Sequence, residues 1–406
     1  MRSLLSLITL VAVVQAQNAT FQQASASSLN TAGFTVSNVH QSNGGGSVCV
    51  SGTVRVRASA ENLKFAFTSP TQQTDVTQML LEVFQVNSPT LAELLQSPTQ
   101  VVSGTWTIGA TLCVPPNNLR PKAVQLLTHG FGFDRNNWDF APGYSYVDIA
   151  TSHGYAVFFY DRLGIGASDK PDPLNVVQTP LEIEIANKLA TMLQSGFFSG
   201  VTFSTVIGVG YSYGCYVTLG VAEQHPSTLD ATVLIGASAN LTGIPPFFLG
   251  LNAAIANQNQ PERFGALDSG YLVPDSAISC QQAFFRSPNF DPAILAKVAA
   301  TKQPLTLGEA ISTPLRLLPP FAPASDYTNP VMVVNGEGDL PFCDGNCTYP
   351  TDLAAQVRPA LYPNVAASKF QSLIVPDTGH CVNLHTTATG AFQSVQAFLQ
   401  QQGLGA

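Results

Sequence analysis

The residues best suited to covalent chemistry lie around Ser212, within the sequence Gly-Tyr-Ser-Tyr-Gly at residues 210–214. Residues 202–207 before it are apolar and β-branched, which is typical of a buried strand, and residues 213–224 after it are typical of a helix that Pro226 ends. Glycine on both sides lets the strand and the helix close tightly on a strained serine. The pattern predicts a nucleophilic serine at the carboxyl end of a strand, above the partly positive start of a helix.

A serine hydroxyl becomes a good nucleophile only when a base takes its proton, and that base needs a third group to orient it. Of the six histidines, His380 follows the run Phe-Gln-Ser-Leu-Ile-Val at 370–375 across a short loop. If that run is a strand, His380 lies at the same edge of the sheet as Ser212. His385 is the alternative base.

The carboxylate partner is expected after a second apolar run, at residues 331–334. Asp339 stands at the loop position that follows this predicted strand and is preferred as the acid, with Glu337 as the alternative. The functional groups then occur along the chain in the order serine, carboxylate and histidine, as in one known class of hydrolases.

The elements that must position these residues alternate from residue 121 onward. Apolar runs at 123–128, 156–160 and 231–235 predict buried strands, and residues 179–195 predict a helix. Thr179 and Glu182 suggest a capping box at the start of that helix, and Gly196 marks its end. The alternation predicts an α/β fold with a mostly parallel central sheet and helices on both faces, formed by residues 121–239 and 330–406.

Two further regions flank this predicted core. Residues 240–329 are too long for a plain loop and are expected to form a helical cap, whose Phe247 and Phe248 either bind substrate or fasten the cap to the core. Residues 17–120 predict a β-rich amino-terminal extension, with a loosely ordered arm at 17–45 and strands at 48–58 and 100–114. The apolar stretches 79–84 and 91–95 fit either a strand or a helix.

The amino terminus predicts export from the cell. Residues 1–16 combine a positive start, a short apolar core and a small-residue cleavage site, which indicates a signal peptide too short to span a bilayer. Glycosylation sequons at Asn18, Asn240 and Asn346 agree with a secreted, extracellular protein. No later segment is apolar enough to predict a membrane span.

The seven cysteines suit an oxidising compartment, where six could pair and one would remain free. Cys215, three residues after Ser212 on a helix that faces the sheet, is the expected free thiol. Cys49 and Cys113 are a plausible disulfide because both lie in strand-rich sequence. The pairing of the remaining four, Cys280, Cys343, Cys347 and Cys381, is left open by the sequence.

The sequence from about 120 to 400 resembles the α/β-hydrolase superfamily in four motifs, and its polar surface and carboxyl-terminal pattern look like those of secreted fungal members. The motifs are His-Gly-Phe-Gly at 129–132, Gly-x-Ser-x-Gly at 210–214, Gly-Glu-Gly-Asp at 336–339 and Thr-Gly-His at 378–380. The resemblance implies an oxyanion hole formed by the backbone N–H groups of Phe131 and Tyr213. Phe131 departs from the all-glycine loop of some lipases and esterases. Tyr211, which also flanks the serine, is expected to line the substrate pocket.

Together these features predict a secreted serine hydrolase that cleaves carboxylic esters of small molecules through an acyl-enzyme. The same three residues could instead act on a peptide, a lactone or a carbon–carbon bond, and the fold could also serve a non-catalytic binding protein. A net charge of −8 without a basic run argues against nucleic acid as a partner. No metal-ligand spacing, phosphate loop or dinucleotide motif is present, so no metal or cofactor is expected. The sequence does not determine an oligomeric state.

Overall fold

A computed structural model of the chain describes residues 29–313 and 323–405. The predicted signal peptide (residues 1–16) and the sequon at Asn18 lie outside the described residues. The strands are β1 (Thr35–Gln41), β2 (Val48–Leu63), β3 (Thr99–Val114), β4 (Ala123–Thr128), β5 (Asp139–Ala141), β6 (Tyr144–Ser145), β7 (Ala156–Tyr160), β8 (Thr205–Tyr211), β9 (Ala231–Ile235), β10 (Ala254–Ile255), β11 (Tyr271–Val273), β12 (Leu305–Thr306), β13 (Val331–Gly336) and β14 (Phe370–Val375).

Helices occupy most of the connections between these strands. They are α1 (Gln73–Val83), α2 (Pro89–Leu95), α3 (Tyr146–Ser152), α4 (Thr179–Gln194), α5 (Tyr213–Gln224), α6 (Ile244–Leu251), α7 (Ala256–Asn259), α8 (Pro261–Phe264), α9 (Ala277–Phe284), α10 (Pro292–Thr301), α11 (Leu307–Ser312), α12 (Leu340–Cys343), α13 (Val357–Leu361) and α14 (Ala388–Gln401). None of the helices within 29–313 and 323–405 is both long and apolar enough to cross a membrane.

A nine-stranded sheet forms the centre of the molecule, in the order β1-β2-β3-β7-β4-β8-β9-β13-β14. The six strands from β7 to β14 in this order are parallel, whereas β1, β2, β3 and β7 pair antiparallel. Strands β4, β7, β9 and β13 are buried along their whole length, as expected where helices cover both faces of a parallel sheet. The predicted α/β fold is confirmed.

The amino-terminal region adds strands to this sheet. Strands β2 and β3 pair along their full length, from Val48 opposite Val114 to Leu63 opposite Thr99. Within the arm expected to be loosely ordered, Thr35–Gln41 instead form β1, which pairs antiparallel with β2. Most side chains of β1 are exposed, so its order comes from backbone hydrogen bonds that composition does not reveal. The ambiguous stretches at 79–84 and 91–95 belong to helices α1 and α2.

Helix α4 begins differently from the sequence prediction. Gln178 is its N-cap residue and makes no side-chain capping bond, while Thr179 already lies inside the helix. The predicted capping box is therefore wrong, because the Glu182 carboxylate pairs with Arg162 instead. Gly196 follows the helix with a φ of +76°, the left-handed conformation expected of a glycine at this position.

The cysteines form two disulfides, Cys49–Cys113 and Cys343–Cys347. The first joins residues that lie directly opposite each other on β2 and β3, as predicted. Cys215 is a buried free thiol, also as predicted, but Cys280 and Cys381 are buried and free as well. The expectation that six cysteines pair is therefore wrong, because only four of the side chains meet a partner.

The region expected to form a helical cap contains six short helices, α6 to α11, within its described residues. It also contains a small antiparallel sheet in the order β10-β11-β12, which the sequence did not predict. Its aromatic segment Pro-Pro-Phe at 319–321 lies outside the described residues.

Candidate active site

Ser212 occupies a sharp turn between β8 and α5. Its φ of 55° and ψ of −124° lie in a region that a residue with a side chain seldom adopts. The flanking glycines are required by close packing, since a Cβ at Gly210 would overlap the backbone of Cys215 and one at Gly214 would overlap the carbonyl oxygen of Thr128. The serine side chain is thereby held at the carboxyl end of β8 and next to the start of α5.

Three side chains from distant loops meet in one hydrogen-bonded row. Ser212 Oγ lies 2.7 Å from His380 Nε2, and His380 Nδ1 lies 2.7 Å from Asp339 Oδ2. Asp339 Oδ1 accepts a hydrogen bond of 3.0 Å from the backbone N–H of Phe342. All three side chains are buried. In the tautomer that carries its proton on Nδ1, His380 can take a proton from the serine while the carboxylate stabilises the resulting charge.

A residue that packs beside this row, Gly236, was missed by the sequence analysis. It follows β9 with a φ of +73°, and a Cβ there would lie 2.9 Å from Cε1 of His380. The histidine ring therefore needs a glycine beside it. A glycine directly after a predicted strand was the available signal.

The alternative base and acid have other partners. His385 donates from Nδ1 to the carbonyl oxygen of Cys381, and its Nε2 accepts from the backbone N–H groups of Gly379 and Arg286. Burial lowers the pKa of His385 to about 4, so it is neutral near pH 7. Glu337 accepts a hydrogen bond of 3.0 Å from the backbone N–H of Asp377. The geometry therefore brings Asp339 and His380, and not these alternatives, to Ser212.

The two residues expected to form an oxyanion hole lie side by side next to the serine. The rings of Phe131 and Tyr213 stack with centroids 4.4 Å apart. The preceding turn approaches closely, since a Cβ at Gly130 would lie 2.6 Å from Cβ of Ser212. His129 is structural in its contacts: Nδ1 lies 2.9 Å from the carbonyl oxygen of Gly130, and Nε2 accepts from the backbone N–H of Arg162. Burial, reinforced by Arg162, lowers the pKa of His129 well below its usual value.

A buried ionic cluster beneath this pair was not found from the sequence. The Arg162 guanidinium lies 4.4 Å from the centroid of the Tyr213 ring and pairs with Glu182 at 2.9 Å and with Glu309. Burial raises the pKa of Glu182, with Arg162 opposing this shift and Glu309 adding to it. Since Glu309 belongs to α11, the cluster ties the cap region to the core. A glutamate within the apolar face of α4 was the available signal.

A small cavity of about 40 Å³ opens beside Ser212. Every residue around it is uncharged and most are aromatic: Phe84, Phe131, Tyr213, Tyr216, Ile244, Phe247, Phe248, Ala310, Thr313, Pro341 and Phe342, together with the serine. The predicted substrate-binding residues Phe247 and Phe248 are among them. Tyr211 is not: it is fully buried, and its ring centroid lies 5.3 Å from that of His380.

Comparison with protein-family models matches residues 125–391 to a model described as the alpha/beta hydrolase family. The match spans more than half of the chain and includes the serine, carboxylate and histidine loops. The chain belongs to the alpha/beta hydrolase family. A search of curated proteins finds no significant match.

Several solved structures align with this chain at low sequence identity. An esterase from Thermogutta terrifontis aligns with a TM-score of 0.49 and 14% identity, covering 74% of this chain and 95% of the other. An enol-lactonase from Burkholderia xenovorans gives 0.48 and 17%, covering 73% and 97%. An alpha/beta hydrolase fold protein from Chitinophaga pinensis gives 0.49 and 14%, covering 75% and 98%.

In this member of the family, both described sequons lie on loops. The Asn346 side chain is exposed and its Oδ1 accepts from the N–H and hydroxyl of Thr348. Asn240 is partly exposed and makes the same two contacts with Thr242. The side-chain amide nitrogen, where a glycan would be attached, is not engaged by these contacts.

Proposed function

We propose that this chain is a secreted serine hydrolase that cleaves carboxylic esters through an acyl-enzyme. The observation that carries the proposal is the row from Ser212 through His380 to Asp339, in which both heavy-atom distances are 2.7 Å. Distances in this range allow proton transfer from the hydroxyl to the imidazole as the serine attacks. Asp339 holds the tautomer and stabilises the imidazolium that forms.

The reaction needs two steps to return to the starting enzyme. In the first, Ser212 Oγ bonds to the carbonyl carbon, and His380 donates its new proton to the departing alcohol. In the second, His380 takes a proton from water as the water oxygen attacks the acyl carbon. His380 then gives that proton to Ser212 Oγ as the bond between Oγ and the acyl carbon breaks, which releases the acid and restores the serine. The N–H groups of Phe131 and Tyr213 are proposed to stabilise the oxyanion, each such donor being worth about 3 kcal/mol.

The lining of the cavity beside Ser212 favours a substrate whose acyl group is uncharged and apolar. None of its lining side chains is charged, so a charged substrate group would lose its hydration there without gaining a partner. The hydroxyls of Tyr213 and Tyr216 bond to Thr179 Oγ1 and to the Ser238 carbonyl oxygen, so these tyrosines offer ring surface to the cavity. Such a surface suits the acyl part of an ester.

Secretion is proposed on three grounds. The first sixteen residues have the pattern of a signal peptide, and sequons occur at Asn18, Asn240 and Asn346. The two disulfides in the structure suit an oxidising compartment.

Replacement of the serine tests the chemistry directly. Ser212→Ala should abolish hydrolysis of p-nitrophenyl butanoate and labelling by a fluorophosphonate probe, because no nucleophile remains. Ser204→Ala is the matched control: Ser204 is exposed just before β8, so this variant should behave as the wild type. If Ser212→Ala still hydrolysed the ester, another residue would be the nucleophile. If the wild type hydrolysed peptides or lactones but no simple ester, the proposed roles of Ser212, His380 and Asp339 would stand. The proposed substrate class would then be wrong.

A further inference from the structure

The helical hairpin of α1 and α2, inserted between β2 and β3, is bound to the cap region. Gln73, at the start of α1, bridges to β10: its Nε2 donates to the carbonyl oxygen of Ala253 and its Oε1 accepts from the N–H of Ile255. Gln258 Nε2 donates to the carbonyl oxygen of Thr71. These bonds join two parts of the chain that are far apart in sequence, and they fix the hairpin relative to the cap.

The base of the same hairpin is bound to the core. The Gln178 side chain pairs with Leu63 in both directions, accepting from its N–H and donating to its carbonyl oxygen. Asn175 Oδ1 accepts from the N–H of Phe65. The amino-terminal end of the insertion is thereby held by side chains that precede α4. At its other end, Gln100 Nε2 donates to the backbone carbonyl oxygen of Asn175, so both ends are bound to the core.

A series of aromatic rings leads from the hairpin to the serine. The ring of Phe84, directly after α1, stacks on Phe248 of the cap with centroids 4.3 Å apart and planes at 16°. Phe248 meets Phe131 edge to face at 6.3 Å, and Phe131 stacks on Tyr213 at 4.4 Å. Three separate parts of the chain, the amino-terminal insertion, the cap and the core, therefore supply one continuous apolar wall.

Phe84 itself lines the cavity beside Ser212, although it belongs to neither the cap nor the core. The cavity of about 40 Å³ is small beside the roughly 300–1,000 Å³ of pockets that hold drug-sized ligands. We propose that the α1–α2 hairpin forms one wall of the acyl pocket and that Phe84 limits the length of the acyl chain accepted. The inference rests on the proposed ester hydrolysis and names its substrate class: esters of short, unbranched apolar acids.

The test compares acyl chain lengths in matched variants. For p-nitrophenyl esters of acetate to decanoate, kcat/KM of the wild type should fall from butanoate to decanoate, because the cavity is small. Phe84→Ala should raise the ratio of kcat/KM for decanoate to that for butanoate by about tenfold or more, because the removed ring leaves space for further methylenes. Leu81→Ala is the control, since Leu81 lies on the same helix but is 48% exposed; it should leave the ratio unchanged.

Two more measurements keep the result interpretable. Phe84→Leu retains apolar bulk and should give a smaller rise in the same direction, which covers the case in which the alanine variant loosens the hairpin. Labelling by fluorophosphonates with ethyl or decyl chains reports access to Ser212 independently of ester turnover. If the wild type is active but both Phe84 variants have the same decanoate-to-butanoate ratio of kcat/KM as Leu81→Ala, the inference about Phe84 is overturned. The proposed ester hydrolysis would still stand in that case. A wild type that neither turns over any ester nor reacts with either probe refutes the proposed function as well.

Discussion

Ser212 is held in its unusual backbone conformation by bonds on both sides. Its N–H donates to the carbonyl oxygen of Ile235 at 2.9 Å, and its own carbonyl oxygen accepts from the N–H of Cys215 at 2.8 Å. A residue kept in a sparsely populated region costs on the order of 1–3 kcal/mol and persists only where its surroundings impose it. Here the strand before, the helix after and the neighbouring strand β9 together impose it. The result is a hydroxyl that needs no rearrangement to meet His380.

The choice between Asp339 and Glu337 leads to a paired prediction at the level of single residues. Asp339→Asn should lower kcat by about 10⁴-fold, because an amide does not hold His380 in the required tautomer or stabilise its charge. Glu337→Gln should change kcat little, since its carboxylate bonds to the Asp377 backbone instead of the histidine. Steady-state kinetics on a butanoate ester measures both. The opposite ranking would assign the acid to Glu337.

The positions of Ser212, Asp339 and His380 could be predicted because each follows a run of residues whose pattern predicts a strand. The ionic cluster around Arg162 could not be predicted, because it forms only when Glu182 and Glu309, from separate elements, meet one guanidinium. The local pattern at Glu182 fitted a capping box equally well. In the fold, the neutralising contact with buried Arg162 prevailed, because an unpaired charge there would cost several kcal/mol.

At the level of elements, the loop that carries His380 is shaped by His385. Its Nε2 accepts from Gly379, next to His380, and from Arg286, just after α9. One neutral imidazole thus fastens the histidine loop to the cap region. Protonation of Nε2 would remove the acceptor on which both bonds depend.

This arrangement predicts acid sensitivity. The pKa of His385 is about 4 in the fold, lowered by burial, against about 6.5 in the unfolded chain, so the unfolded state binds more protons between these values. Stability from this residue is therefore complete above about pH 6.5 and is lost as the pH falls toward 4, by up to about 3 kcal/mol. His385→Gln, which keeps an acceptor but has no basic nitrogen, should lose less stability over that range than the wild type.

Thermal or urea unfolding at pH 4, 5, 6 and 7 measures this difference. His129 is also buried with a lowered pKa and adds a slope of the same sign, so the comparison is between variants and not with zero. Ser204→Ala, an exposed and non-titrating position just before β8, is the control and should retain the wild-type slope. A His385→Gln slope as steep as that of the wild type would show that His385 is not the group responsible.

Most strands of the core could be predicted because buried parallel strands are largely apolar. The runs at 123–128, 156–160 and 231–235 coincide with the buried strands β4, β7 and β9, and the predicted strand at 370–375 coincides with the half-buried edge strand β14. Hydrophobic periodicity did not identify α1 and α2, because their short apolar stretches fit either a strand or a helix. The polar strand β1 could not be recognised, since its side chains remain exposed and only its backbone pairs.

For the whole molecule, the site is assembled from three regions that sequence treats separately. The predicted boundaries assigned residues 17–120 to an extension with no stated role in the site. The structure brings Phe84 of that extension against Phe248 of the cap, and both line the cavity beside Ser212. A contact of this kind depends on tertiary packing over a long sequence separation, which no local pattern encodes.

The cysteines and the predicted signal peptide give a prediction for the whole chain. With two disulfides and three thiols, all of the latter fully buried, the native protein should react with none of its cysteines. Protein recovered from the medium of a secreting host should begin at Gln17, take up no iodoacetamide when native and take up three equivalents when denatured without reductant. Amino-terminal sequencing and mass spectrometry measure these outcomes. If the denatured protein took up one equivalent, six cysteines would form three disulfides. If it took up seven, no disulfide would be present, which would argue against an oxidising compartment. An intact Met1 would argue against the signal peptide.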